Sequence, residues 1–145
     1  MATGWKIVAA FIASLSFATL YKVQSQQIMA AGIVGTIGWL INYYLSQYGN
    51  DVVAIFAAAT AVALSSEIFA RIRLQPVPVF LVPGIIPLVP GGQAYQTMLS
   101  FLQGNYLAGV EQLVNTLFLA GAIAGGIMLV SSLFRQRKII QEKET

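Results

Sequence analysis

The stretch Pro76–Gly91, PVPVFLVPGIIPLVPG, decides how this chain is read. It carries Pro76, Pro78, Pro83, Pro87 and Pro90, with Gly84, Gly91 and Gly92 beside them. It lies inside the 37 residues from Leu74 to Val110, which hold no formal charge. A helix rising about 1.5 Å per residue over that length is far too long for one simple crossing of a hydrocarbon core of about 30 Å. Interior proline removes a helix hydrogen bond and kinks or ends the helix, so the segment must break. In lipid, where no water satisfies a freed amide, broken backbone survives only when protein buries it or it lines a cavity.

The flanking sequence places that break in a membrane. Of the 145 residues, 57% are hydrophobic and only 9% charged, and the mean hydropathy is +0.75, against about 25% charged residues in an ordinary soluble domain. The pattern predicts an all-α membrane protein of about five transmembrane helices in a single membrane domain, residues 1–145. The spans fall at about 5–21, 28–45, 52–70, 76–103 (the fourth, broken by prolines) and 111–134. A basic tail, 135–145, follows. Ser16-Phe17-Ala18 loosely resembles a leader cleavage site, but its basic region would be thin and the rest is polytopic, so the first apolar stretch reads as a span.

Basic residues set the orientation. With five crossings and the N-terminus outside, Lys22, Arg71, Arg73, Arg135, Arg137, Lys138 and Lys143 face the cytoplasm, and Lys6 alone is outside. If the proline segment only dipped in and returned, Lys22, Arg71 and Arg73 would be stranded outside, against the positive-inside bias. The expectation is therefore an outside N-terminus, a cytoplasmic C-terminus and a multi-pass protein of the cell (inner) membrane.

Composition also removes function classes. A net charge of +3 and a pI near 9.4 are compatible with nucleic-acid binding, but the basic residues are scattered between apolar segments without a stripe, so no nucleic-acid partner is expected. There is no Cys and no His, which takes away thiolate metal sites and the commonest general base, so no metal, cofactor or enzyme activity is expected. No GxxxxGK[ST] motif is present, and transport, if it occurs, would run on gradients.

The break is the candidate site. Discontinuous helices in secondary transporters set half-helix N-termini, with free amides and a positive dipole end, against anionic substrate groups. After Pro90, Gly91 and Gly92 the run Gln93–Gln103 reads as a fresh helix, and Gln93, Tyr95 and Gln96 add neutral hydrogen-bonding side chains. The bland alternative is a kinked helix at a subunit contact.

The run Pro76–Gly91, followed by Tyr95, Thr97 and Met98, resembles the signature of the threonine/serine exporter family (ThrE) in its small-subunit, YjjB-like form. The likeness is specific over Val82–Met98 and agrees in span layout over nearly the whole chain. It implies a subunit of a secondary transporter exporting small carboxylate-bearing metabolites, threonine or serine, or a dicarboxylate such as succinate. It also implies a larger membrane subunit as partner, bringing its own spans and a soluble extension. Carried over by position, Pro83, Gly84, Pro87, Pro90, Gly91 and Tyr95 are the motif residues. Many relatives have a basic residue just after that tyrosine. Gln96 stands there in this chain, which favours amide or dipole recognition of substrate over a charge pair.

Two acids have double readings. Glu67 lies inside an apolar run, which marks a candidate for ion coupling, yet Arg71 four residues on is placed for a helical ion pair. Glu111 fits a cap at the start of the last span, or, with Gln112 and Asn115, the outer mouth of a pathway. Gly32, Gly35 and Gly38, and the GxxxG of Gly121 and Gly125, are spaced for close helix contact, so an obligate partner or homo-oligomer is expected. The alternative function is an accessory membrane subunit that stabilises a partner without contacting substrate.

Overall fold

The computed structural model describes residues 2–143, with side chains over residues 4–135; of the tail, Arg137, Lys138 and Lys143 fall outside the described side chains. Six α-helices and one 3-10 turn follow in order. These are α1 Ala2–Leu20, α2 Ser25–Ser46, α3 Asp51–Arg73, α4 Pro78–Ile85, the turn Ile86–Leu88, α5 Gly91–Leu102 and α6 Tyr106–Lys143. The all-helical expectation holds among the described residues. Three helices are long and apolar enough to cross a membrane, Ser25–Ser46, Asp51–Arg73 and Tyr106–Arg135, while Gly4–Leu20 and Pro78–Leu88 are shorter apolar helices.

Helix ends follow local chemistry. Asn50 caps α3 by accepting from the Val53 amide at 3.2 Å, with Asp51 in the first turn, where the helix dipole favours an acid. At its far end, Leu74 takes a left-handed φ of 52° while the Gln75 amide reaches back to the Ala70 carbonyl, closing a Schellman turn. Lys22 does the same after α1, at φ 54°, and the Val23 amide donates to Ala18. Gly104 makes the equivalent turn after α5.

Neighbouring helices alternate in direction up to α4. Gly32 on α2 is met by Phe11 and Leu15 of α1, and Gly38 is met by Val62 of α3. The short α4 lies in the cradle made by α1, α2 and α3. Phe80 is fully buried there, its ring centroid 6.0 Å from that of Phe69 on α3. Burial of such a ring is worth about 2–3 kcal/mol. Gly84 sits deeper, where a β-carbon would come within 2.6 Å of Val34 Cγ1 and 3.3 Å of Val62 Cγ1. Leu88, also buried, ends this anchored stretch against Gly38.

The last two helices pair differently. α5 packs along the first third of α6, where Phe101 covers Gly109, and Ser100 Oγ donates to Gln112 Oε1 at 3.1 Å. The remainder of α6 packs on α3. Leu117 and Phe118 lie beside Val52 and Val53, Gly126 lies against the Phe56 carbonyl and Thr60, and the Phe134 ring lies 4.6 Å below the Arg71 guanidinium carbon. These contacts advance together along both chains, so α3 and α6 run parallel. Of the predicted GxxxG pair, Gly125 meets Phe56 but Gly121 meets nothing. Gly126 makes the close backbone approach instead, while Gly121 lines an open groove beside Val52, Val53 and Phe56, where a β-carbon would meet no atom.

Candidate functional site

Between the anchored α4 and the α5–α6 pair the main chain opens. Beyond the 3-10 turn, Val89 is extended at φ −64°, ψ 127°, and Pro90 at φ −78°, ψ 49° stands at the start of α5. Proline at 83 and 87 withholds the amides that would have donated to the carbonyls of Val79 and Pro83. The Gly91 amide turns back onto the Val89 carbonyl at 2.8 Å, and Ala94 donates to Pro90. No side chain caps α5, and the amides of Gly92 and Gln93 donate to none of the turn and loop carbonyls around them. The uncapped start of α5 therefore offers donors and the positive end of a helix dipole.

Polar side chains collect beside that start. Gln93 and Gln96, three residues apart on one face of α5, line a cleft of about 230 Å³ with Gln112 and Asn115 of α6. A neighbouring cleft of about 490 Å³ shares Gln112 and Asn115 and adds Ala108, Glu111, Val114 and Phe118. Amide side chains both donate and accept, so such a wall holds carboxylate, hydroxyl or ammonium groups without a fixed charge of its own.

The residues singled out from sequence do not converge on one place. Pro83 and Gly84 are buried in the cradle, and Pro87 and Pro90 are half-buried along the break. Gly91 and Gly92 are exposed with open space around them. Gln93 and Gln96 reach the cleft, whereas Tyr95 turns away from it and is 67% exposed. Glu67 pairs with Arg71 at 3.8 Å, and its side chain is only 15% exposed. Glu111 lies on the wall of the larger cleft, past the first turn of α6, because Asn105 and not Glu111 stands at the helix start.

Two polar groups escaped the sequence reading. Among the described residues, Ser14 Oγ and Gln27 Oε1 are buried without a protein partner. A lone serine in an apolar run carries no sequence signal; only three-dimensional packing reveals that its hydroxyl is stranded.

Three helices long and apolar enough to cross a membrane, with an amide-lined cleft beside a proline-rich stretch, are features compatible with a membrane transport protein. The family model for the threonine/serine exporter, ThrE, matches residues 6–133, and the chain belongs to that family. A threonine/serine exporter of Corynebacterium glutamicum is 28% identical over 124 residues, covering 86% of this chain and 25% of that protein. An uncharacterised protein of Haemophilus influenzae is 27% identical over 143 residues, covering 92% of this chain and 48% of its own length. The chain thus spans a quarter and about half of these two relatives. No solved structure matches it.

Proposed function

We propose that the chain is one membrane subunit of a secondary exporter for small carboxylate-bearing metabolites, working by alternating access in the inner membrane with a larger subunit of the same family. Threonine, serine and dicarboxylates such as succinate are the substrate candidates. The observation that carries this reading is the uncapped start of α5, opening beside Gln93, Gln96, Gln112 and Asn115. In it, the carboxylate meets the amides of Gly92 and Gln93, the glutamines and Asn115 bind the remaining polar groups, and no fixed positive charge holds the substrate too tightly to leave. Pro83, Gly84 and Phe80 anchor the half-helix; Pro87 and Pro90 hold the break open; Gly91 and Gly92 let substrate approach the backbone. Glu111, on the adjoining wall, and Glu67, paired with Arg71, are the candidates for ion coupling.

The proposed topology has five crossings, with Lys6 and Tyr48 outside and Arg71, Arg73 and Arg135 in the cytoplasm. The proposed partner is supported by the open faces of α6, whose large apolar side chains Leu107, Leu117 and Phe118 are exposed.

Co-expression with the larger subunit and measurement of threonine and succinate efflux tests the reading. Replacing Gln93 and Gln96 together by Ala is expected to lower efflux at least tenfold in a normally assembled complex, since each lost hydrogen bond to a charged group is worth about 1.5–3 kcal/mol. Efflux at parental rates would leave the chain as an accessory subunit.

A further inference from the structure

Ser14 lies in the middle of α1 with 0% exposure, and its hydroxyl has no protein acceptor. Several other helical hydroxyls turn back to the carbonyl four residues earlier in their own helix. Thr19 donates to the Leu15 carbonyl at 2.9 Å, Thr36 to Gly32 at 2.9 Å and the equally buried Ser66 to Val62 at 2.7 Å. Ser14 departs from this habit. Its Oγ occupies the space that a β-carbon on Gly35 would need, and the main-chain oxygen of Gly84 lies 3.3 Å from that same point. The hydroxyl is thus aimed out of α1 at the seam where α2 meets the broken helix.

The neighbouring group on α2 is the Cα of Gly35, which gives the serine oxygen a weak C–H contact and gives its proton nothing. Across the seam, Pro87 lacks the amide that would have donated to the Pro83 carbonyl, one residue before Gly84. A hydroxyl without a protein acceptor and the Gly84 carbonyl oxygen therefore belong to the same packed layer, one residue from a carbonyl whose helical donor proline removes.

We propose that Ser14 is a positioning residue for α4: its hydroxyl donates to a main-chain carbonyl of the Pro83–Gly84 turn in a second placement of the broken helix. The hydroxyl thereby sets the balance between the two placements. The proposal rests on the export reading for its purpose, since alternating access needs two placements of the element that bears the site. One hydrogen bond gained in the second placement shifts the ratio of the two by about two- to tenfold. The small residues Gly35 and Gly84 leave the seam free of side chains that would lock it.

The chain contains no Cys, so Leu81→Cys, on a half-buried position of α4, provides a single thiol. Its labelling rate is measured in membranes that contain the larger subunit, with Ser14 intact and with Ser14→Ala, alongside the efflux rate and the unfolding temperature. Ser14→Ala is expected to change the labelling rate two- to tenfold and to slow maximal efflux by a similar factor at an unchanged half-saturating concentration. The unfolding temperature is expected to hold or rise, because a stranded donor is removed. An unchanged labelling rate overturns the proposal whatever efflux does. So does a fall of several degrees in unfolding temperature, which would mean that the hydroxyl is already bonded at rest. A changed labelling rate with no efflux from the parent complex would sustain the positioning role and sink the export reading.

Discussion

Gly84 is where the broken helix comes nearest to its cradle, and the approach leaves no room for a methyl group. A β-carbon there would stand 2.6 Å from Val34 Cγ1, and Val34 is itself fully buried. Overpacking of a dense core costs about 1–3 kcal/mol. Gly84→Ala is therefore expected to lower the unfolding temperature in detergent, while Gly92→Ala, at a position with open space around it, leaves it nearly unchanged. Equal effects at the two sites would mean that α4 is not seated as described. Glu67 offers a second comparison. Its carboxylate pairs with Arg71 one turn on in the same helix, and the Arg71 guanidinium also lies over Phe134 on α6, so Glu67→Gln removes the pair within α3 and keeps the contact between Arg71 and α6. If the pair is only structural, the variant exports with the parental pH dependence; a flattened pH profile assigns Glu67 to coupling.

At the scale of elements, the contact between α3 and α6 depends on Gly126 and not on Gly121. A β-carbon on Gly126 would lie 2.8 Å from the Phe56 carbonyl and 3.0 Å from the Thr60 amide, whereas one on Gly121 meets nothing. Gly126→Leu is expected to destabilise the purified protein by several kcal/mol, since backbone cannot yield as a side chain can, and Gly121→Leu to be tolerated in the same unfolding assay. This difference also shows how far sequence could carry the reading. Apolar runs between isolated charges are read as spans at 28–45 and 52–70, beside α2 Ser25–Ser46 and α3 Asp51–Arg73, and the prolines are read as a break in the stretch where α4 gives way to the turn Ile86–Leu88 and then α5. The GxxxG spacing of Gly121 and Gly125 also announces close packing, but only the helical phase of the assembled pair selects Gly126. The candidate site divides in the same way. Gln93 and Gln96 follow from their position after the break, while the turning of Tyr95 away from them depends on how α5 lies along α6. Ser14 was illegible because nothing in an apolar run distinguishes a hydroxyl that bonds its own helix from one that does not.

For the whole molecule, packing sets how the helix ends lie relative to one another, and the proposed topology assigns those ends to the two sides of the membrane. Lys6 lies 6.0 Å from the Tyr43 ring, which puts the start of α1 beside the end of α2. Arg71 and Phe134 bring the end of α3 beside the later part of α6. Between them, α4 runs antiparallel to α3, from the Arg73 end to the level of Val62. The break then hands on to α5, whose first turns lie level with Asn115, near where Leu117 meets Val52. The proline segment so advances in one sense past the full length of α3. A dip and return would have brought α5 back to the arginines. The stretch Tyr106–Arg135, 30 residues and about 45 Å long, is long enough to cross a membrane and runs back to the level of Arg71. Single cysteines test this order in cells. Tyr48→Cys and Gln103→Cys, both at exposed positions, are expected to react with a membrane-impermeant thiol reagent added outside. Gln24→Cys and Gln75→Cys are expected to react only after permeabilisation. Protection of Gln103→Cys from the outside reagent would return the proline segment to the side it came from, and with it the cleft of Gln93, Gln96, Gln112 and Asn115. The carboxylate site would then open toward the cytoplasm, and the five-crossing arrangement would be lost.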